Sequence, residues 1–189
     1  MEHKVLLRDA TVADAPFIAR VVLAGIDMLA IAAEVTEEQR PILEHLMDIC
    51  RMGDTLYSYR HTRVAEMDGK TIGAIIAYDG ARYATMRVKT FGLVLQTSGL
   101  DLSQNAMETG VGEFYLDSMA ILPEYRGSEI GLRLMRDRMD WAKHHGFEAI
   151  TLLVDKDKPH LQRYYESLGF AFSEEIFVFG AWYDKLCIK

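Results

Sequence analysis

The chain has 189 residues, 50% of them hydrophobic, and a formal net charge of -7, which allows one domain with a full core and argues against nonspecific nucleic-acid binding. Its two cysteines are too few for a disulfide framework or a four-ligand zinc site, so no metal site is expected. No apolar run is long enough to cross a bilayer, and charged residues follow the N-terminus too soon for a secretory signal, so the protein is predicted to be cytoplasmic and without a membrane partner.

The N-terminal part of the chain predicts a strand followed by two helices. Residues 4–8 form a short strand-like run, and residues 11–14 then resemble a capping box with Asp in place of the usual Glu. Apolar residues at helical spacing follow at 17–23. A second helix is expected within 37–51, but its start is ambiguous, because a capping signal precedes Pro41 and proline disfavours helical geometry in the residue before it.

A hairpin and a long irregular segment come next. Residues 59–67 and 70–78 are strand-like, and the Asp68-Gly69 dipeptide between them supplies the positive φ angles of a tight turn. Residues 79–112 contain scattered glycines among polar residues and predict a less regular connection. A connection of this length is uncommon in a compact domain unless it has local structure or a function.

The second half of the chain alternates strands and helices. The predicted elements are a strand at 113–122, a turn at 123–127, a helix at 130–145, a strand at 149–154, a short helix at 159–168 and closing strands at 171–179 and 181–188. Strand, helix and strand in this order imply a parallel pair joined by a right-handed crossover. Because the first strands form an antiparallel meander, the expected fold is mixed α/β rather than doubly wound.

The passage from residue 122 to 131, LPEYRGSEIG, leads a glycine-bearing loop into a helix N-terminus. The unpaired amides of a first helical turn, together with the helix dipole, make an anion site. Glycine at 127 and 131 removes side chains, so that a diphosphate can approach the backbone. A simple strand-to-helix turn is the alternative interpretation.

Two motifs around this loop carry a family resemblance. Residues 114–127, FYLDSMAILPEYRG, resemble the fourth strand and pyrophosphate loop of the GNAT acetyltransferases. Residues 164–170, YYESLGF, resemble the second signature of that family, in which a Tyr-bearing helix ends in Gly-Phe. The resemblance implies a single GNAT-like domain over 1–189, with 79–112 inserted between the third and fourth strands. It also implies a mostly antiparallel central sheet flanked by helices, with its parallel pair splayed at the cofactor cleft.

The resemblance also implies a cosubstrate, acetyl-coenzyme A (acetyl-CoA), and a set of residues that bind it. Loop amides would hold the pyrophosphate, and main-chain groups of the fourth strand would hold the pantetheine arm. The residues assigned to this binding are Met119, Ala120, Ile121, Arg126, Gly127, Ser128, Glu129, Ile130, Gly131, Lys158 and Tyr165. Two of them depart from the family pattern: Glu129 occupies the position of the central loop glycine, and Lys158 that of an asparagine.

Two residues are the candidate catalytic groups. Tyr165 matches the family's general acid, which protonates the departing thiolate, and a phenol with pKa near ~10 keeps its proton at neutral pH. A tyrosine that only packs in the core is the alternative. The resemblance also implies a base or a water-relaying residue on the fourth strand, at a position that matches Tyr115 or Asp117, and Asp117 is the candidate general base. Alternation along the strand places both on one face with Met119 and Ile121. A carboxylate satisfied by neighbouring groups is the alternative here.

The predicted function is acetyl transfer from acetyl-CoA to a primary amine, by direct attack of the amine on the thioester. The acceptor would be a small molecule or a peptide, and association into a homodimer is left open. We expect residues 79–112 to fold over the acceptor end of the cleft and to carry short local structure, because loops carry specificity on a rigid scaffold. The alternative is a noncatalytic GNAT-fold protein that binds an acyl-CoA as a sensor, which Glu129 and Lys158 favour.

Overall fold

The computed structural model describes residues 4–189 and places them in a seven-stranded sheet with five α-helices. The strands are β1 Leu6–Asp9, β2 Thr62–Met67, β3 Lys70–Asp79, β4 Glu113–Ile121, β5 Ala149–Asp155, β6 Ala171–Val178 and β7 Ala181–Ile188. The helices are α1 Ala15–Gly25, α2 Arg40–Arg51, α3 Tyr83–Ser98, α4 Ile130–His144 and α5 Pro159–Ser167. The sheet order is β1-β2-β3-β4-β5-β7-β6, and every pair is antiparallel except β4–β5. The predicted mixed α/β fold is therefore confirmed.

The N-terminal elements differ from the predictions mainly at their ends. The first strand begins at Leu6, and the predicted capping box is present, with the Thr11 amide donating to the Asp14 carboxylate at 2.8 Å. The second helix begins at Arg40 and carries Pro41 in its first turn. Proline is tolerated there because a first-turn residue has no intrahelical carbonyl to donate to.

The prediction of an irregular connection at 79–112 is wrong over residues 83–98, which form the 16-residue helix α3, longer than the short local structure expected there. The helical signal is weak because the buried face of α3 includes Arg87 and Thr90, whereas Val88 and Leu95 are exposed. The apolar residues therefore do not form one stripe along the helix, and hydrophobic periodicity does not predict it.

The helices cover both faces of the sheet. A Cβ added to Gly25 of α1 would lie 3.1 Å from Ser118 Oγ, so α1 packs on the face to which Ser118 points. One added to Gly131 of α4 would lie 3.7 Å from Met119 Cε, so α4 packs on the opposite face. On the α1 face, α1 contacts α2 and α2 contacts α3. These three helices enclose a cavity on the α1 face of the sheet, which is described below.

The parallel pair separates along its length, as the resemblance implied. Glu113, Phe114 and Tyr115 pair with residues 149–151, but no further pairing joins β4 to β5 in the described sheet. β4 continues to Ile121, and β5 continues to Asp155 in contact with β7. The two strands therefore form an open cleft beyond Tyr115.

Candidate active site

A cavity, here called the strand cleft, lies where β4 and β5 separate. It is lined by Leu116, Asp117, Ser118 and Met119 of β4, Leu152 and Leu153 of β5, Tyr165 of α5, and Ile75 and Met135. In the described sheet, main-chain groups of residues 116–121 that point away from β3 have no strand partner. The cleft therefore offers free backbone donors and acceptors beside both predicted catalytic residues.

A β-bulge sets the direction of the side chains in the cleft. Leu116 pairs with Ala77 and Ser118 with Ile76, which leaves Asp117 as an extra residue on β4. A bulge interrupts the alternation of faces. Asp117 is hydrogen-bonded to Ser118 on the α1 side, whereas Met119 contacts the α4 side. The prediction that Asp117 and Met119 share one face is therefore wrong, because the extra residue shifts the alternation.

Asp117 belongs to a cluster of two carboxylates on the α1 side of the sheet. It accepts hydrogen bonds from the Tyr78 hydroxyl at 2.6 Å and the Ser118 hydroxyl at 2.7 Å. The second carboxylate is Glu108, which accepts from the hydroxyls of Tyr83 at 2.5 Å and Tyr115 at 2.8 Å. Glu108 and Asp117 are called the acidic pair below. All four of these donors are neutral hydroxyls, so they do not cancel the charge of the pair.

The surroundings of the acidic pair favour its protonated form. Burial raises the pKa of Glu108 and the negative charge of Asp117 raises it further, whereas the hydroxyls of Tyr83 and Tyr115 and the positive charge of Arg87 lower it, with a resulting value of about 7. Burial also raises the pKa of Asp117, against the hydrogen bonds from Tyr78 and Ser118. The pair therefore takes up or releases a proton near neutral pH, as a shared property of both groups.

The acidic pair lines a cavity of about 90 Å³, here called the acidic cavity, that adjoins the strand cleft. Asp117, Ser118 and Leu153 line both spaces. The remaining walls of the acidic cavity come from Val22, Gly25, Ile26, Tyr57, Tyr115, Val178, Phe179 and Tyr183. The two spaces thus meet at Asp117. Glu108 lines the acidic cavity, and Tyr165 lines the strand cleft.

Tyr165 lies on α5 and lines the strand cleft, whereas Glu108 lines the acidic cavity. Its ring packs against Phe170 with centroids 6.0 Å apart, and burial raises the pKa of its hydroxyl to about 12, helped by the neighbouring Tyr164. Tyr164 points away and is 36% exposed. Tyr165 is therefore the tyrosine of the two that reaches the cleft, and its phenol keeps its proton at neutral pH.

The loop after β4 has the geometry expected of an anion site. Gly127 has a φ of +75°, and nothing lies within 4 Å of the place where a Cβ would stand. Residues 126–129 are exposed, and α4 begins directly after them. Glu129 has a φ of -70° and is exposed, so its backbone does not need glycine. The open loop and first-turn amides of α4 suit a pyrophosphate, with the Glu129 carboxylate at its rim.

Lys158 follows β5 and lies at the N-terminus of α5. Its ammonium forms an ion pair with Asp27, in the segment that follows α1. Because β4 and β5 are parallel, Lys158 and the loop at 126–131 follow the same edge of the sheet. Its role in binding phosphate stays a prediction, and its ammonium already has a carboxylate partner.

Sequence reasoning missed Glu108, because its position depends on the undetected helix α3. The Arg87 side chain of α3 donates to the backbone carbonyls of Ser103 at 3.0 Å and Asn105, and its guanidinium lies 5.3 Å from the centre of the Phe91 ring. These contacts hold the coil that carries Glu108 back against the sheet. No motif marks Glu108; only the fold brings it beside Asp117.

Comparison with known proteins identifies the class of protein that has this geometry. The model of the acetyltransferase (GNAT) family matches residues 28–170. The crystal structure of an acetyltransferase is similar over 97% of this chain and 98% of its own, with 29% identity and a TM-score of 0.74. An N-acetyltransferase from Staphylococcus aureus Mu50 shares 22% identity over 97% of this chain and 100% of its own, with a TM-score of 0.76.

A third solved structure, a GNAT family acetyltransferase from Brucella melitensis, is in complex with acetyl-CoA. It shares 20% identity over 99% of this chain and 88% of its own, with a TM-score of 0.54, which shows likeness of fold. No curated protein matches the chain.

Proposed function

The chain belongs to the GNAT family of acetyltransferases, and from that premise we propose that it transfers the acetyl group of acetyl-CoA to a primary amine by direct attack on the thioester. The observation that carries the choice of an amine is the acidic pair at the strand cleft. Glu108 is buried and Asp117 is half-buried, and their hydrogen-bond donors are neutral hydroxyls, so the pair attracts an ammonium ion and one carboxylate can then accept its proton.

Acetyl-CoA supplies an activated acyl group as a thioester. We assign its pyrophosphate to the backbone of residues 126–131, where Gly127 leaves the approach open and the amides of α4 point outward. The main-chain groups of Met119 and Ile121 point to the open side of β4 and offer hydrogen bonds to the pantetheine arm, whereas those of Ala120 between them point toward β3. The acetyl-CoA in the structure of the Brucella melitensis protein supports this use of the fold.

Proton transfer falls to groups on both sides of the cleft. An alkyl ammonium with pKa near ~10.4 must lose a proton before it can attack. The acidic pair accepts that proton, because a pKa of about 7 at Glu108 matches a base that works at neutral pH. Of the two carboxylates, Asp117 is the one that lines both cavities, so we place it beside the reacting atoms. Tyr165 donates its proton to the departing sulfur, and the proton that the nitrogen loses as the amide forms restores the phenol.

Release of free thiol from acetyl-CoA with a panel of primary amines tests this function. Tyr165→Phe is expected to lower kcat by about 10²-fold or more, because it removes a general acid. The rise in melting temperature caused by acetyl-CoA should survive, because the hydroxyl acts only on the leaving group. Tyr164→Phe is the matched control and should leave both quantities unchanged. Loss of activity in Tyr164→Phe alone would show that Tyr164, and not Tyr165, is the general acid.

A noncatalytic acyl-CoA-binding protein is the second candidate function. Glu129 and Lys158 favour it, because both depart from the family pattern of a coenzyme site: one places a carboxylate in the phosphate loop, and the other is paired with Asp27. Stabilisation of the wild-type protein by acetyl-CoA without thiol release for any amine would support this function and overturn amine acetylation.

A further inference from the structure

A third cavity lies beside the acidic cavity, in the layer formed by α1, α2 and α3. It has a volume of about 300 Å³ and is called the apolar chamber here. Val22, Ile26 and Tyr57 line both the chamber and the acidic cavity, and Leu46, Val94 and Leu102 are among the residues that enclose the rest of it. Such a volume is at the lower end of the range of small-molecule sites, about 300–1,000 Å³.

The chamber offers little to a second charge on a ligand. Three titratable side chains line it: Glu38, His45 and Tyr57, whose phenol stays neutral because burial raises its pKa. Both ring nitrogens of His45 are engaged, one with the Leu93 carbonyl at 3.0 Å and the other with the Thr97 hydroxyl at 3.1 Å. Glu38 is exposed at the rim, where water solvates its charge. Apolar contact is therefore the main interaction that the chamber can give.

The mouth of the chamber is apolar and open to solvent. Ile26, Met28 and Leu100 line it and are 49%, 48% and 55% exposed. Ile26 also lines the acidic cavity, so a ligand that passes over this side chain reaches both spaces. A bound apolar group would remove these three side chains from water, which is favourable in proportion to the area covered.

We propose that the acceptor is a primary amine with one ammonium group and an uncharged apolar body, the ammonium between Glu108 and Asp117 and the body in the apolar chamber. This inference rests on the proposed function and specifies its substrate class. Tyr57 stands between the two spaces, where its ring can contact the apolar body beside the carbon that carries nitrogen. An acceptor with a carboxylate beside its amine would meet the acidic pair and be repelled.

Matched amines test the chemistry of the chamber. In wild-type protein, kcat/KM should rise by about threefold for each methylene from ethylamine through butylamine to hexylamine, because each enters the chamber. Hexylamine should exceed 1,6-diaminohexane by about tenfold or more, because the second ammonium would lose its water without gaining a buried partner. Glycine should be a poorer acceptor than ethylamine.

Two substitutions on α3 locate the effect. Val94→Trp fills the chamber and should reduce the ratio of kcat/KM for hexylamine over ethylamine to about one, with ethylamine still acetylated. Val88→Trp is the matched control, because Val88 is on the same helix but 76% exposed and outside the chamber. It should keep the wild-type ratio. The ratio does not depend on the fraction of folded protein, and Val94→Phe is a milder alternative if the Trp variant is unstable.

The outcomes separate the substrate class from the reaction. Acetylation of amines with no dependence on chain length, or a preference for 1,6-diaminohexane, would overturn the apolar acceptor and leave the N-acetyltransferase function standing. A length dependence that survives in Val94→Trp would place the apolar body elsewhere and also overturn the inference. Stabilisation by acetyl-CoA with no turnover of any amine would overturn the proposed function, and the apolar acceptor with it.

Discussion

At the scale of single residues, two buried carboxylates of this chain behave in opposite ways. Burial alone would raise the pKa of Asp14, but hydrogen bonds from Arg8, Thr11 and Thr71 lower it to about 2. Glu108 is buried with hydroxyl donors from two tyrosines, and its pKa rises to about 7. A cationic partner makes the first carboxylate structural. The hydrogen-bond donors to Glu108 are neutral hydroxyls and not a cation, so Glu108 can bind a cation or a proton.

The acidic pair gives a pH dependence with a defined sign. A base must be deprotonated, so kcat/KM of the wild type should fall as the pH drops below about 7, the pKa of Glu108. Asp117→Asn removes a negative charge that raises that pKa, so the acid limb should move to lower pH by about one pH unit. Asp48→Asn removes an exposed carboxylate of α2 and should leave the limb in place.

The outcome for Asp117→Asn also assigns the base. Residual activity with a displaced limb would make Glu108 the proton acceptor and Asp117 a group that tunes it. Activity lost at every pH, with acetyl-CoA binding retained, would make Asp117 the base, as the sequence predicted. A limb that stays near pH 7 in an active variant would show that the two carboxylates do not sense each other.

At the scale of elements, the sequence predicted the parts whose signals are local. β4, the loop at 126–131 and α4 follow from a strand pattern, a glycine-bearing turn and an amphipathic helix, and the structure has all three. The bulge at Asp117 was missed because it depends on the register between β3 and β4. The residue pattern of one strand contains no such information.

The segment 79–112 shows why the acceptor side was harder to predict than the cofactor side. Val94, Thr97, Leu100 and Leu102 line the apolar chamber, and Glu108 lines the acidic cavity. These positions support the expectation that the segment borders the acceptor end of the cleft. Its helix also contributes to the core, since Tyr83 and Phe91 are buried. Shortening the segment within α3 would therefore disturb folding as well as specificity, which is why single substitutions on α3 are the sharper test.

Glu129 tests the loop as an anion site. At ~8 Å its carboxylate would repel a diphosphate charge by ~0.5 kcal/mol in water and ~2 kcal/mol at an effective dielectric of 20. Glu129→Gln should therefore tighten acetyl-CoA by up to about thirtyfold, and more at low salt than at high salt. The observed φ of -70° means that the charge can be removed without a change in backbone conformation. Glu129→Gly tests both together; binding lost in that variant alone would show that the side chain shapes the loop.

Affinity measured by calorimetry at two salt concentrations distinguishes the possibilities for Glu129. Asp137→Asn is unsuitable as a control, because Asp137 is paired with Arg63 and Arg138. Asp140→Asn is better, since Asp140 is an exposed residue of the same helix, beyond its first turn. Equal affinity of Glu129→Gln and wild type at both salt concentrations would mean that the carboxylate never senses the phosphates.

At the scale of the whole molecule, the regions proposed to bind the cosubstrate phosphates and the acceptor belong to different helices of the sheet's two faces. The loop that starts α4 is suited to phosphate, and the layer of α1, α2 and α3 encloses the acidic cavity and the apolar chamber. Within residues 4–189, no helix is long and apolar enough to cross a membrane. The extent of the domain over 1–189, the cytoplasmic location, the homodimer and the absence of a nucleic-acid partner stay predictions.

The stability of the whole domain should record the cost of keeping Glu108 buried. Its pKa is raised from 4.5 to about 7 in the folded state, so between these pH values the folded protein binds more protons than the unfolded chain. The free energy of unfolding must then fall as the pH rises from about 4.5 to 7, by about 3 kcal/mol for this group, and stay lower above pH 7. Glu108→Gln removes this titration and keeps a polar group for the two tyrosines.

Denaturant unfolding of wild type and Glu108→Gln at pH 5 and pH 8 measures this cost. The variant should gain about 2–3 kcal/mol relative to wild type between the two pH values, while its acetyltransferase activity falls. Asp48→Asn should follow the wild-type pH dependence, because Asp48 is an exposed carboxylate on α2. The titration of Asp14 lies below this window, since its pKa is about 2. Parallel stability curves for Glu108→Gln and wild type would show that folding does not raise the pKa of Glu108. The acidic pair could then not be the proton acceptor near neutral pH.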